Sequence, residues 1–250
     1  MLNKSLIAIF LIIITLLVSG CQPTSTTPDR VVNTEVVAAA ETLGPTPTAT
    51  IPPTPTPIPE VRIQQADQIL FEGKYETARD EYTRAAWGSS DPEIQASALL
   101  GIGRTYFEEG DYERAVETFK SLINEHPSNQ SLAVAHYFLA ESLKQLSDFK
   151  GADQAYASSM ALQPGILDDF LQEKRAQVLE SMGDYSSAIE AYQSAIAASS
   201  YDRSDLKLQI GKIYANQGDL ANAIKIYLEA YETSSNDFIK AQANLLAGQA

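Results

Sequence analysis

Few side chains in this 250-residue chain could do chemistry, and their spacing decides what each can do. Acidic residues stand side by side at Glu108-Glu109 and Asp168-Asp169, and Glu precedes Ser at Glu141-Ser142 and Glu180-Ser181. Two carboxylates can cleave a glycosidic bond only when they face each other across it. Neighbours on a helix point about 100° apart, so neither acid pair converges on one bond. His126 and His136 fall in different elements, and Cys21 is the only cysteine, which makes no metal-ligand set. His126 precedes the helix-ending Pro127, a structural position. No Gly-rich phosphate loop, nucleophile elbow or Cys/His pairing occurs. The expectation is a chain with no catalytic constellation, no metal and no cofactor, whose chemistry is recognition.

Charge narrows the partners. Two basic residues (Lys4, Arg30) against four acidic ones (Asp29, Glu35, Glu41, Glu60) leave −12 of the net −14 on residues 61–250. Such a surface repels phosphate backbones, whose binding relies on Lys and Arg displacing counterions, so nucleic acid is not an expected partner. With one cysteine there is no intrachain disulfide, and stability must come from packing.

The N-terminus reads as a secretion signal over residues 1–20: Lys4 supplies the positive start and Leu6 to Val18 the apolar stretch, with Ser19-Gly20 before a cleavage point. That stretch falls short of the ~20 residues of a membrane-spanning helix. Val18-Ser19-Gly20-Cys21 resembles the lipobox of bacterial lipoproteins, in which the cysteine thiol is lipidated and becomes the mature N-terminus. The resemblance implies an extracytoplasmic protein, lipid-anchored through Cys21 to the cell or outer membrane by two or three acyl chains such as palmitate. Residues 21–60 then form a disordered Pro/Thr-rich linker. Its core, Gly44 to Pro59, is nearly alternating Pro with Thr or Ala and favours extended polyproline II. At about 3.1 Å per residue it spans roughly 45 Å.

Beyond it the chain repeats. Gly73-Lys74-Tyr75 with Ala78 and Tyr82 aligns with Gly110-Asp111-Tyr112, Ala115 and Phe119; with Ser147-Asp148-Phe149, Ala152 and Tyr156; with Gly183-Asp184-Tyr185, Ala188 and Tyr192; and with Gly218-Asp219-Leu220, Ala223 and Tyr227. The steps are 37, 37, 36 and 35 residues. Gly suits the left-handed end of one helix and Asp caps the next, so each Gly-Asp predicts a tight helix-to-helix turn. Upstream, Gly103 and Tyr106, Ala140 and Leu143, Ala176 and Leu179, and Gly211 and Tyr214 place a small and a larger residue three apart on the first helix. Pro127 and Pro164 stop second helices.

These features resemble the tetratricopeptide repeat (TPR) signature across residues 61–250. The resemblance implies an all-α fold: a right-handed superhelical solenoid of antiparallel helix hairpins, preceded by the signal peptide and linker. Its inner surface, lined by the first helices, binds peptides or proteins. Repeats longer than the usual 34 imply slightly longer loops or helix ends. Mapping the family's groove onto the first helices selects Arg104, Phe107, Tyr137, Glu141, Lys144, Phe170, Glu173, Gln177, Lys212 and Asn216. The Lys and Asn set of carboxylate-clamp repeats is not reproduced.

Asp237 to Ala250 reads as the first helix of a sixth hairpin that is incomplete, which suggests the N-terminal part of a longer protein. The leading expectation is a membrane-tethered scaffold for envelope proteins, peptides or peptidoglycan. The alternative is the helical region of a lytic transglycosylase with its catalytic domain beyond residue 250. Glu141-Ser142 and Glu180-Ser181 are similar to the Glu-Ser pair of those enzymes, but each precedes a hairpin turn and the accompanying Gly-Leu-Met-Gln type sequence is missing.

Overall fold

The computed structural model describes residues 57–165 and 167–250. The expected signal peptide, the Cys21 anchor and the spacer through residue 56 lie outside the described residues. The described residues hold eleven α-helices and no strand. They are α1 Pro59–Phe71, α2 Tyr75–Trp87, α3 Pro92–Glu109, α4 Tyr112–Glu125, α5 Leu132–Gln145, α6 Phe149–Leu162, α7 Asp168–Ser181, α8 Tyr185–Ala198, α9 Ser204–Asn216, α10 Leu220–Thr233 and α11 Asp237–Gln249. The first ten pair in order as five hairpins, and α11 packs on α10 as the first helix of a sixth. Helix α1 starts at Pro59, where a missing N–H costs nothing and φ is already helical, so Pro59 and Glu60 form its first turn.

Each hairpin turn follows the chemistry of its residues. Gly73, Gly110, Gly183 and Gly218 have φ of 74°, 85°, 77° and 80°, the left-handed region that costs glycine little. The next residue then caps the following helix. Asp111 accepts from the Arg114 N–H at 3.1 Å, Asp148 from Gly151 at 3.0 Å, Asp184 from Ser187 at 3.2 Å and Asp219 from Asn222 at 3.1 Å. Each such cap contributes about 1 kcal/mol. Two turns depart from the pattern: Lys74 makes no side-chain cap, and Ser147 takes φ 62° with a side chain.

The small positions on the first helices are where second-helix rings lie. Phe119 of α4 sits on Gly103 of α3, and Tyr227 of α10 on Gly211 of α9, so close that a methyl group at either glycine would overlap the ring. Ala140 and Ala176 hold the equivalent places, fully buried. The extra length of the repeats goes to two places. Helix α3 runs 18 residues, started by Pro92 with Asp91 as its cap, and residues 126–131 form a longer connection around Pro127.

First helices of successive hairpins touch (α1 with α3, α3 with α5, α9 with α11), whereas second helices make no comparable contact. The first helices therefore line the inside of the row. Its core is a chain of apolar clusters. One surrounds Tyr82 in α1 and α2 and takes Ala98 from α3; a second spans α4 to α6 and takes Leu171 and Val178 from α7. The third takes Ala176 and Leu179 from α7 with α8 and α9, and the fourth joins Leu208 of α9 with α10 and α11.

Candidate functional site

The inner wall is richest in aromatic side chains where α3, α5 and α7 lie side by side. Phe138 of α5 meets Phe107 of α3 edge-on at 5.5 Å between ring centres and stacks on Phe119 at 5.8 Å. Tyr137 touches Phe138 at 5.2 Å, Tyr156 at 6.3 Å and Phe170 of α7 at 6.1 Å. Centroid separations of 4.5–7 Å are those at which aromatic pairs attract beyond their area burial. The rings thus form a continuous strip from the second hairpin to the fourth. Its exposed end is Phe170, 38% accessible.

Beside Phe170 the strip opens into a pocket of about 290 Å³. Val134, Tyr137 and Phe138 of α5 and Leu167, Phe170 and Leu171 at the start of α7 form its walls, with Ser159 and Gln163 at the end of α6. The Ser159 hydroxyl donates to the Ala133 carbonyl at 2.7 Å, so its proton is already committed.

Charges stand over the rings. The Lys174 ammonium lies 5.1 Å from the Phe170 ring centre, and the Arg104 guanidinium 5.9 Å from that of Phe138. Both distances are within cation–π range. Arg104 also approaches Asp67 of α1 at 3.5 Å. Glu141 sits beneath, 7% accessible. Its carboxylate accepts from the Tyr156 hydroxyl and from Lys144 at 2.7 Å, and Lys174 lies 3.5 Å away. Burial alone would raise the Glu141 pKa, but the bonds from Lys144 and Tyr156 and the two ammonium charges outweigh it and hold it below the ordinary value. Burial, joined by the Glu141 bond, pushes the Tyr156 phenol far up. The motif recurs: the Tyr82 hydroxyl donates to Asp67 at 2.6 Å and that of Tyr192 to Glu180 at 3.3 Å. Glu141 and Glu180, each in a Glu-Ser pair, here receive the hydroxyl of a buried tyrosine on the second helix of their own hairpin.

The expected groove residues divide into three groups. Arg104, Phe107, Tyr137, Glu141, Lys144 and Phe170 come together around the strip. Glu173 and Gln177 face another junction, where Gln177 donates to Glu173 at 3.1 Å and Arg203, in the loop before α9, pairs with Glu173. Arg203 also meets Asp205 at 3.2 Å and Asp169 at 3.7 Å. On α9, Lys212 donates to Gln209 at 3.4 Å, and Asn216 is exposed. Sequence reasoning omitted Val134, Phe138, Leu167 and Lys174. Lys174 and Phe138 each carried a signal, being four residues after Phe170 and three before Glu141 on the same helical stripe.

His126 ends α4 and His136 lies on α5, where burial lowers its pKa. Among the described residues no group of three or more His, Cys, Asp or Glu side chains is placed to hold a metal. No described helix is long and apolar enough to cross a membrane.

Residues 97–129 and 173–238 match tetratricopeptide repeat family models, so the chain carries such repeats at α3/α4 and again across α7 to α11. Among solved structures it is similar to MamA, 25% identical with TM-score 0.55 over 67% of this chain and 92% of that one. It also resembles MamA of Desulfovibrio magneticus RS-1 (20% identity, TM-score 0.57, 70% of this chain and 93% of that one). A third likeness is YrrB, a TPR protein (18%, 0.57, 73% and 90%). None of the curated protein sequences matches the chain. The fold is a TPR-type helical solenoid.

Proposed function

We propose that this chain is a lipid-tethered TPR scaffold of the bacterial cell envelope whose first-helix wall binds extended segments of partner proteins. The observation that carries the binding half is the aromatic strip of α3, α5 and α7 with its open apolar pocket. Apolar walls with a few convergent polar groups are the usual setting of a binding site. YrrB, similar in fold, is described as having an unusual peptide-binding site, which is in keeping with this reading. The tether rests on the sequence alone, on Val18-Ser19-Gly20-Cys21 after an apolar run.

Selection of displayed random peptides on the immobilised full-length chain tests the binding half. Enrichment that Phe170→Ala abolishes is expected, and selection of nothing above background overturns it. For the anchor, Cys21→Ala is expected to lose both fatty-acid labelling and membrane retention. A variant equally labelled and equally membrane-bound overturns that half.

A further inference from the structure

The pocket between α5 and α7 is too small for a folded partner and large enough for one side chain. An apolar cavity of about 150 Å³ holds benzene, so about 290 Å³ takes an aromatic or large aliphatic group with room for the start of its backbone. What should stand next to that side chain follows from the charges at the rim. One carboxylate, Glu141, is shared by two ammonium groups, Lys144 and Lys174, which leaves one positive charge unmatched in that trio. The acids nearest in sequence to the pocket wall are engaged at the start of α7. Asp168 accepts from the Gly165 N–H at 3.1 Å through one oxygen, its other oxygen being buried without a partner among the described residues, while Asp169 accepts from the Phe170 N–H at 2.8 Å and faces Arg203. Lys174, whose ammonium lies 5.1 Å from the centre of the Phe170 ring that forms one wall, therefore sets a positive charge beside the pocket in a repeat region whose net charge is −12.

Resting on the peptide-binding reading above, we propose that this pocket takes a large apolar side chain of an extended peptide and that Lys174 pairs with a carboxylate on the adjacent residue. The ligand class is an acidic, aromatic-bearing segment. Basic and purely polar segments are disfavoured, and Lys174 exchanges its long contact with Glu141 for the incoming acid while Lys144 keeps Glu141 neutralised.

Fluorescein-labelled octapeptides in a Gly/Ser frame, with Phe-Glu, Phe-Gln, Phe-Lys or Ser-Glu at the centre, test this on the full-length chain by fluorescence anisotropy. Phe-Glu is expected to bind tightest. Ser-Glu should fall by about tenfold or more, the value of burying a large apolar side chain. Phe-Gln should fall by about two- to fivefold, as for a partly exposed ion pair, and Phe-Lys further. The Phe-Glu preference should shrink in high salt. Lys174→Gln should reduce the preference for Phe-Glu over Phe-Gln to about one. Val134→Trp, which fills the pocket from a position 40% accessible, should weaken every Phe peptide, with an unchanged circular dichroism spectrum checking the fold. Leu167→Trp, at 58% accessible, is the second pocket-filling variant if the first misfolds. Equal binding of Phe-Lys and Phe-Glu, equal binding of Ser-Glu and Phe-Glu, or no effect of either Trp variant overturns the proposal. If none of the four peptides binds although the display selection succeeds, this inference falls and the scaffold reading stands. If both fail, both fall.

Discussion

Helix α7 takes part in two junctions built by different means. On one side it meets α5 through Phe170, Tyr137 and Leu171, and the second apolar cluster runs through the contact. On the other an apolar cluster runs from Ala176 and Leu179 into α8 and α9, and to it is added an ionic contact: the acids of α7 reach Arg203, in the connection before α9, and three carboxylates share one guanidinium. Apolar contact depends on area and shape and is indifferent to salt, whereas partly exposed ion pairs contribute little and are screened. The hairpins before and after α7 should therefore respond differently to the same perturbation.

The largest expected effect is on the apolar side. Phe119 is fully buried against Gly103 and stacked on Phe138, so Phe119→Ala should cost about 3–5 kcal/mol, read by urea denaturation, at low and high salt alike. A loss under 1 kcal/mol would show that the strip contributes surface and not stability. Glu141→Ala comes next. It leaves the buried Tyr156 hydroxyl unpartnered, at a cost of about 1–3 kcal/mol, and Tyr156→Phe in the same chain should recover part of it.

Across α7 the effect should be smaller and of another kind. Arg203→Gln removes the shared cation from Asp169, Glu173 and Asp205, and a loss of about 1 kcal/mol at low salt that shrinks toward zero in 1 M NaCl is expected. Native-state hydrogen exchange should show α9 opening before α5 does in this variant. Salt-independent destabilisation would erase the contrast.

Acid probes the same end of the row. Asp202 accepts from the Ser204 hydroxyl and N–H and from the Ser235 N–H, tying the loop before α9 to the loop before α11. The Ser204 hydroxyl, with the Ser235 amide, holds its pKa well below the ordinary value. A depressed native pKa stabilises above the unfolded value of about 3.9 and loses that contribution as pH falls through the native one. Asp202→Asn should therefore be less stable at pH 6, with the difference from the parent narrowing as pH drops below 4, in thermal melts across that range.

What the sequence made legible is local. Gly-Asp turns, the small residue under each ring and the aromatic four after the alanine act within one hairpin, and their period is visible as a repeat. The five hairpins and the sixth first helix follow from them. The junctions were less legible because they join residues far apart in the chain. Arg203 meets Glu173 thirty positions away, and nothing in a loop arginine announces its partner. Glu141 reads as an exposed groove acid until Tyr156, fifteen residues on, is seen to bury it. The pocket is a gap between α5 and α7, set by how two helices splay, and Val134 and Leu167 acquire their role only from that spacing.

The smallest prediction concerns the one hairpin turn that lacks glycine. Ser147 adopts φ 62° between α5 and α6, where its four counterparts are Gly73, Gly110, Gly183 and Gly218. A side chain in the left-handed region costs roughly 1–2 kcal/mol, and glycine loses about 0.5–1 kcal/mol more chain entropy on folding, so the two terms oppose. The strain is the larger, and Ser147→Gly should stabilise by about 0.5–1 kcal/mol. Because this turn belongs to the hairpin that carries Tyr137, Phe138 and Glu141, the gain should appear as slower exchange in α5 and α6, with α9 unchanged. A gain shared equally by both sides of α7 would mean that the row unfolds as one unit and that its two kinds of junction are equally strong.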